Sequence, residues 1–180
     1  MIVPNIQHLY RSLPHDGLIS SGNETVLNFV GEITVAAPRE AVFKALSDAP
    51  FFASCIEGVR DLTAIDATHY DAVLETRIAY MRFNFKVGVQ LSRVTPSEEI
   101  EAKVEGTPIG MVGRLTATAT TRLADADGGT VIRYSVDATL TGKLGSMGQP
   151  VLKAKAKEME KQFSARLAAA FAGEQPGSPP

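Results

Sequence analysis

Between residues 59 and 140 the apolar side chains fall at every second position, and no other feature of this 180-residue chain limits the fold so narrowly. Tyr70, Ala72, Leu74, Thr76, Ile78 and Tyr80 alternate with Asp71, Glu75 and Arg77. Phe83, Phe85, Val87, Val89 and Leu91 alternate with Asn84, Lys86, Gln90 and Ser92. The pattern returns in Ile100, Ala102 and Val104, in Leu115, Ala117, Ala119 and Leu123, and in Ile132, Tyr134, Val136, Ala138 and Leu140. A strand sends successive side chains to opposite faces, so each run is a strand with one apolar and one polar face. The links Met81-Arg82, Thr95-Pro96-Ser97 and Asp127-Gly128-Gly129 are too short for parallel crossovers, so neighbouring strands pair antiparallel.

An apolar sheet face of that extent needs a cover. After Gly142, Gly145 and Gly148 the period becomes helical, with Leu152, Ala156, Met159, Phe163, Leu167 and Ala170 three or four residues apart. About 24 helical residues extend about 36 Å, and the strand 83–95 extends about 43 Å. The lengths match, which makes this helix the cover.

Upstream, Val26 to Ala36 reads as a further strand, and Pro38 opens a short helix, Arg39 to Ser47, with Val42, Phe43 and Leu46 on one face. Pro50, Phe51, Phe52 and Ile56 mark a second short helical turn. Residues 1–24 hold Pro14, Asp16, Gly17, Ser20, Ser21, Gly22 and Asn23 with no clean period and read as a weakly ordered arm. Residues 173–180, rich in proline and glycine, read as a disordered tail. One α+β domain, 25–172, remains: a seven-stranded curved antiparallel sheet, two short helices after strand 1, and a long C-terminal helix over an apolar cavity.

The net charge of −2 gives no global attraction to nucleic acid or anionic lipid. Cys55 is the only cysteine, which excludes an intrachain disulfide and a cysteine-rich metal site and suits a reducing, cytoplasmic setting. The first residues lack the basic start and unbroken apolar run of a secretory signal. Nowhere does the chain offer the roughly 18 continuous apolar residues of a membrane span, so membrane contact would be peripheral.

Three stretches carry a family resemblance. They are Phe29-Val30-Gly31-Glu32-Ile33-Thr34-Val35-Ala36-Ala37-Pro38-Arg39-Glu40-Ala41-Val42-Phe43, the block Ala45-Leu46-Ser47-Asp48 with Ala53-Ser54-Cys55-Ile56-Glu57-Gly58, and Gly142-Lys143-Leu144-Gly145-Ser146-Met147-Gly148-Gln149-Pro150. With the order of elements, they resemble the START-like, helix-grip (SRPBCC) superfamily and, within it, the carbon monoxide dehydrogenase CoxG family, over about residues 27–172. Glu57 stands where that family tends to have proline. The resemblance implies a helix-grip fold around a ligand cavity, and an association with molybdenum-containing dehydrogenases recruited or matured at the cytoplasmic membrane.

The remaining polar residues form no catalytic set. His8, His15 and His69 stand apart from any carboxylate or thiol at ligand spacing, so neither a metal nor a cofactor is expected. Cys55 has no nearby histidine and sits beside Phe51, Phe52 and Ile56, the setting of a buried structural thiol. Glu75 and Arg77 share the polar face and read as a solvated pair. Tyr80 and Tyr134 fall on the apolar face, where each hydroxyl either serves the core, satisfied by backbone or water, or orients a ligand's polar group. Segment 106–113 lacks the strand-to-helix transition of a phosphate loop and reads as a hairpin. Its tip carries Ile109, Met111 and Val112, apolar surface of the kind that marks a lid, a partner site or a membrane contact. Lys153, Lys155, Lys157, Lys161 and Arg166 give the long helix a basic side, either simply solvated or drawn to an acidic partner or anionic headgroups. No aromatic residues interleave with them, so no nucleic-acid partner is expected.

In the helix-grip arrangement the cavity walls fall to Phe85, Val87, Leu115, Tyr80, Tyr134, Met159 and Phe163. The mouth falls between the hairpin tip and the 142–150 hinge with Leu144 and Met147. An apolar interior without a catalytic set implies a protein that binds an apolar small molecule, a quinone or a lipid, and docks to a molybdenum hydroxylase-type dehydrogenase. Two alternatives stand beside it: a START-like cyclase or hydrolase acting through the inward tyrosines, and an assembly factor whose cavity is filled by its own side chains.

Overall fold

The computed structural model describes residues 23–172. The elements run β1 (Thr25–Val35), α1 (Arg39–Ser47), α2 (Ala49–Ser54), β2 (Val59–Ala64), β3 (His69–Ile78), β4 (Met81–Thr95), β5 (Glu99–Pro108), β6 (Gly113–Ala126), β7 (Gly129–Thr141), α3 (Gly142–Gly145) and α4 (Gln149–Ala172). The expected tail lies outside the described residues, as does the expected arm apart from Asn23 and Glu24. The strands form one antiparallel sheet in the order β1-β7-β6-β5-β4-β3-β2. Strands β2 to β7 are a meander, and α1 with α2 carries the chain from one edge strand to the other.

Local chemistry fixes these helices. Pro38 holds the N-cap of α1 with φ −62° and ψ 148°, one residue outside the first turn expected for it. Its carbonyl accepts from the Val42 N–H at 3.1 Å. Asp48 caps α2, its carboxylate accepting from the Phe51 N–H at 3.1 Å, while Pro50 occupies the first turn, where its missing N–H costs nothing. Register shifts between Leu91 and Arg93 in β4 and between Arg60 and Thr63 in β2 bend the sheet.

One strand link differs from the sequence reading. Ile78 pairs with Met81, so the β3–β4 turn is Ala79-Tyr80 and not Met81-Arg82, both of which belong to β4. Ala79 takes the left-handed conformation at φ 55°. The turn has none of the glycine, asparagine or aspartate that normally marks such a two-residue link, so the alternation runs through it unbroken.

The concave face is packed at its two ends. One cluster joins Leu27, Ile78, Phe83, Phe85, Ala138 and Leu140 of the sheet to Leu144 of α3 and Leu152 of α4. The other joins Val35, Leu123 and Ile132 to Val42 of α1 and to Leu167 and Phe171 of α4. Phe51 and Phe52 of α2 pack against Phe171 and Phe163 with tilted rings, centroids 6.2 and 5.1 Å apart. Phe171 is buried and Ala170 exposed, so the buried stripe of α4 ends one residue later than its spacing predicts. The helix approaches the sheet mainly at β1 and β3, on opposite sides of the curved surface, and the strands between them lie farther from it.

Candidate functional site

Between the two clusters lies a band of the same concave face. Leu91 pairs with Ala102, Ala102 with Ala119 and Ala119 with Val136; beside them Val89 pairs with Val104. These inward residues are apolar, yet all are only half-buried, and none joins either packed cluster. The alanines at facing positions 102 and 119 bring small side chains to this part of the face. The α4 stripe changes over this band as well. Leu152 and Leu167 seal the ends, whereas between them Lys155, Ala156, Met159 and Gln162 are only half-buried.

Tyr134 sits at the border of this band. Its hydroxyl donates to a carboxylate oxygen of Glu160, tying β7 to α4. Burial first, and then the Glu160 carboxylate, hold the phenol well above its ordinary range. Gly31, paired with Tyr134 across β1 and β7, makes the ring's position possible, because a methyl there would overlap the phenol.

Beside the band, a cleft of about 300 Å³ opens between β3 and α4. The pairing of β2 with β3 begins at Val59 and Leu74, so β3 from Glu75 onward has no strand partner on that side. The α2–β2 segment with Cys55, Ile56 and Glu57 forms one wall, Glu75, Thr76, Arg77 and Arg82 another, and Lys155, Glu158, Met159 and Gln162 the third. Arg82 lies 3.7 Å from Glu75 and Lys155 3.4 Å from Glu158, both long for ion pairs. Burial pushes the Cys55 thiol up, which keeps it protonated.

The residues singled out in the sequence are dispersed. Phe85 is packed in the first cluster, stacked on Phe83 at 5.8 Å, and Val87, Leu115, Met111 and Met147 pack against that cluster. Phe163 packs against the second cluster, Met159 lines the cleft, and Tyr134 stands between sheet and helix. Tyr80 is not in the interior: it occupies the β3–β4 turn and is 87% exposed. Leu144, placed at the mouth, is completely buried, because α3 tucks it under the sheet. Ile109 and Val112 are exposed at the hairpin tip.

The hairpin and the hinge meet. Gly113 bridges to Gly142, and the Lys143 N–H donates to the Val112 carbonyl at 3.1 Å. Gly142, at φ +63°, allows this approach, since a side chain there would come within 2.6 Å of that carbonyl. Glu75 and Arg77 line the β3–α4 cleft rather than an open polar face, and Lys155, assigned to the basic outer side of the helix, turns inward with its side chain 15% exposed. Thr76, Arg82, Lys155 and Gln162 escape the sequence reading as a set, although Lys155, Met159 and Gln162 share the spacing of the buried stripe.

Among the described residues no group of three or more His, Cys, Asp or Glu side chains is placed to hold a metal ion. No helix among them is long and apolar enough to cross a membrane.

The family model for the CoxG subunit of carbon monoxide dehydrogenase matches residues 31–172, from the glycine beneath Tyr134 to the end of α4. The chain belongs to the carbon monoxide dehydrogenase CoxG family. No curated protein matches it. Among solved structures, this CoxG-family chain is similar to a conserved protein from Geobacillus kaustophilus, with 25% identity and a TM-score of 0.75 over 82% of this chain and 96% of that one. It is also similar to the Zhui aromatase/cyclase from Streptomyces sp. R1128, at 14% identity and a TM-score of 0.60 over 82% and 94% of the two chains. Ara h 8.0201 matches at 17% identity and a TM-score of 0.60 over 83% and 100%. The last two share the helix-grip fold with this chain, and at such identities the fold alone.

Proposed function

We propose that this CoxG-family chain is a non-enzymatic carrier: it holds an apolar small molecule, a quinone or a lipid, beneath α4 and docks to a molybdenum-containing, carbon monoxide dehydrogenase-like oxidoreductase. The observation that carries the reading is the unsealed apolar band of Val89, Leu91, Ala102, Val104, Ala119 and Val136 between two sealed clusters. Apolar surface left half-covered inside a fold is stabilised by an apolar guest, at about 25 cal/mol per Å² removed from water. The family supplies the partner class, and the redox chemistry of that partner is what favours a quinone. Ile109 and Val112, exposed at the hairpin tip beside Lys143, form the surface for peripheral contact with the inner membrane face. The cyclase or hydrolase alternative loses support: Tyr80 lies outside, and the hydroxyl of Tyr134 is committed to Glu160.

Native mass spectrometry tests the carrier role. Protein purified gently from its own host carries a lipophilic adduct, or takes up one equivalent of a short-chain quinone or a lipid on titration. A chain that arrives empty and takes up neither refutes it.

A further inference from the structure

The end of the sheet that carries the 109–112 hairpin tip is apolar and uncovered. Ile109 and Val112 are 50% and 85% exposed there, and Tyr80 stands exposed in the β3–β4 turn at the same end. The chain enters the fold at this end as well. Strand β7 pairs antiparallel with both β1 and β6, so β1 and β6 run in the same direction and begin at the same end of the sheet. The register that sets Thr25 against Leu140 brings Asn23 level with Gly142, which bridges to Gly113 at the base of the tip. Two strand spacings, about 10 Å, thus separate Asn23 from the hairpin base. The Asn23 carbonyl lies against Gly145 of α3, where even a methyl group would overlap it. Residues 1–22 therefore join the described fold on the tip's side of the sheet.

Their sequence suits that surface. Residues 1–24 as a whole keep no single period, but the opening stretch does. Ile2, Val3, Ile6, Leu9, Tyr10 and Leu13 fall on one side of a helix, with Asn5, Gln7, His8, Arg11 and Ser12 on the other. Pro4 would stand in the first turn, where proline is accepted, and Pro14 follows the last apolar residue. An isolated helix of about twelve residues is marginal in water and needs a surface on which to bury its stripe. Residues 14–22 can span up to about 30 Å, enough to bring that stripe onto the tip.

We infer that residues 2–13 are the intramolecular occupant of this end: an amphipathic helix that covers Ile109 and Val112 in the free chain. The inference rests on the carrier reading above in one respect, that the covered tip is the surface offered to the membrane. The segment is then an autoinhibitory cap, which the membrane must displace.

A nitroxide on Ser12→Cys of the full chain, in a Cys55→Ala background that leaves one thiol, locates the segment by methyl NMR. The label broadens the Ile109 and Val112 methyl signals, and the broadening persists on dilution. It spares Val94, which lies ten residues along β4 from Asn84, the partner of the Ile109 N–H, or about 33 Å away. Ile6→Gln with Leu9→Gln spoils the stripe without changing charge and keeps Cys55, so it stands should the labelled variant fold poorly. This pair shifts the Ile109 and Val112 methyl signals and raises binding to vesicles of phosphatidylcholine and phosphatidylglycerol roughly fivefold. Broadening that misses the tip overturns the cap, and broadening lost on dilution overturns it in favour of a second copy. Weaker vesicle binding by the double variant also overturns it, because the segment would then be the membrane contact itself. If neither chain binds vesicles, the membrane reading fails and the methyl signals still decide the cap.

Discussion

Phe83 and Val104 stand on the same concave face of the same sheet, yet the first is sealed and the second half-open. The difference is supplied from outside the sheet. At each end, helices bring large apolar side chains to the face: Leu144 and Leu152 at one, Val42, Leu167 and Phe171 at the other. Between the ends, α4 carries the half-buried Lys155, Ala156, Met159 and Gln162, and the sheet carries alanines at 102 and 119. The two ends therefore act as the pillars of the fold, and the middle is sealed by neither. On the carrier reading proposed above, stability and binding are written on one face in different residues.

That contrast can be broken by mutation. Phe83→Ala removes a ring from a sealed cluster and is expected to lower unfolding free energy by about 4 kcal/mol, whereas Val104→Ala in the band costs about 1 kcal/mol, both read from urea unfolding. Equal losses would mean that the band is packed. Gly31→Ala drives a methyl into Tyr134 and costs about 2 kcal/mol, and a second substitution, Tyr134→Ala, returns part of the loss in a double-mutant cycle.

Tyr134→Phe deletes the hydroxyl that ties β7 to α4, with an expected cost of about 1 kcal/mol at neutral pH. The folded phenol titrates above its unfolded value, so its contribution is fully present below the unfolded value near pH 10 and is lost as pH rises further. The stability gap between wild type and Tyr134→Phe, followed by urea unfolding from neutral pH upward, therefore shrinks once that value is passed. A gap that widens contradicts the assignment. The smallest effect on stability belongs to Ala119→Leu, which fills the band: a change of under about 1 kcal/mol, accompanied by loss of dodecanol uptake. A destabilisation as large as that of Phe83→Ala would show that no room exists there.

Much of this architecture was legible in the chain. Alternation from Tyr70 to Leu140 set the strands and, apart from Tyr80, most of their inward residues, because a half-buried sheet writes its period directly into the sequence. Arg39–Ser47 emerged with its bounds intact, while the turn at Ala79-Tyr80 did not, since nothing in its composition announces a left-handed residue. The site was less legible for a similar reason. Periodicity separates inside from outside, but it cannot tell a sealed position such as Phe85 from an unsealed one such as Val89, which depends on what the helices bring across. Lys155 was hidden by its charge: a lysine within a basic helix reads as solvated until the neighbouring elements are placed around it.

Methyl NMR with labelled valine, leucine and isoleucine, titrated in parallel with a short-chain quinone and with dodecanoate, tests the central claim most directly. The account predicts that at least one of the two saturably perturbs Val89, Leu91, Val104 and Val136 while leaving Val42, Leu144 and Leu167 in place. Perturbation confined to exposed methyls such as Val30 and Val112, or none with either ligand, would contradict it.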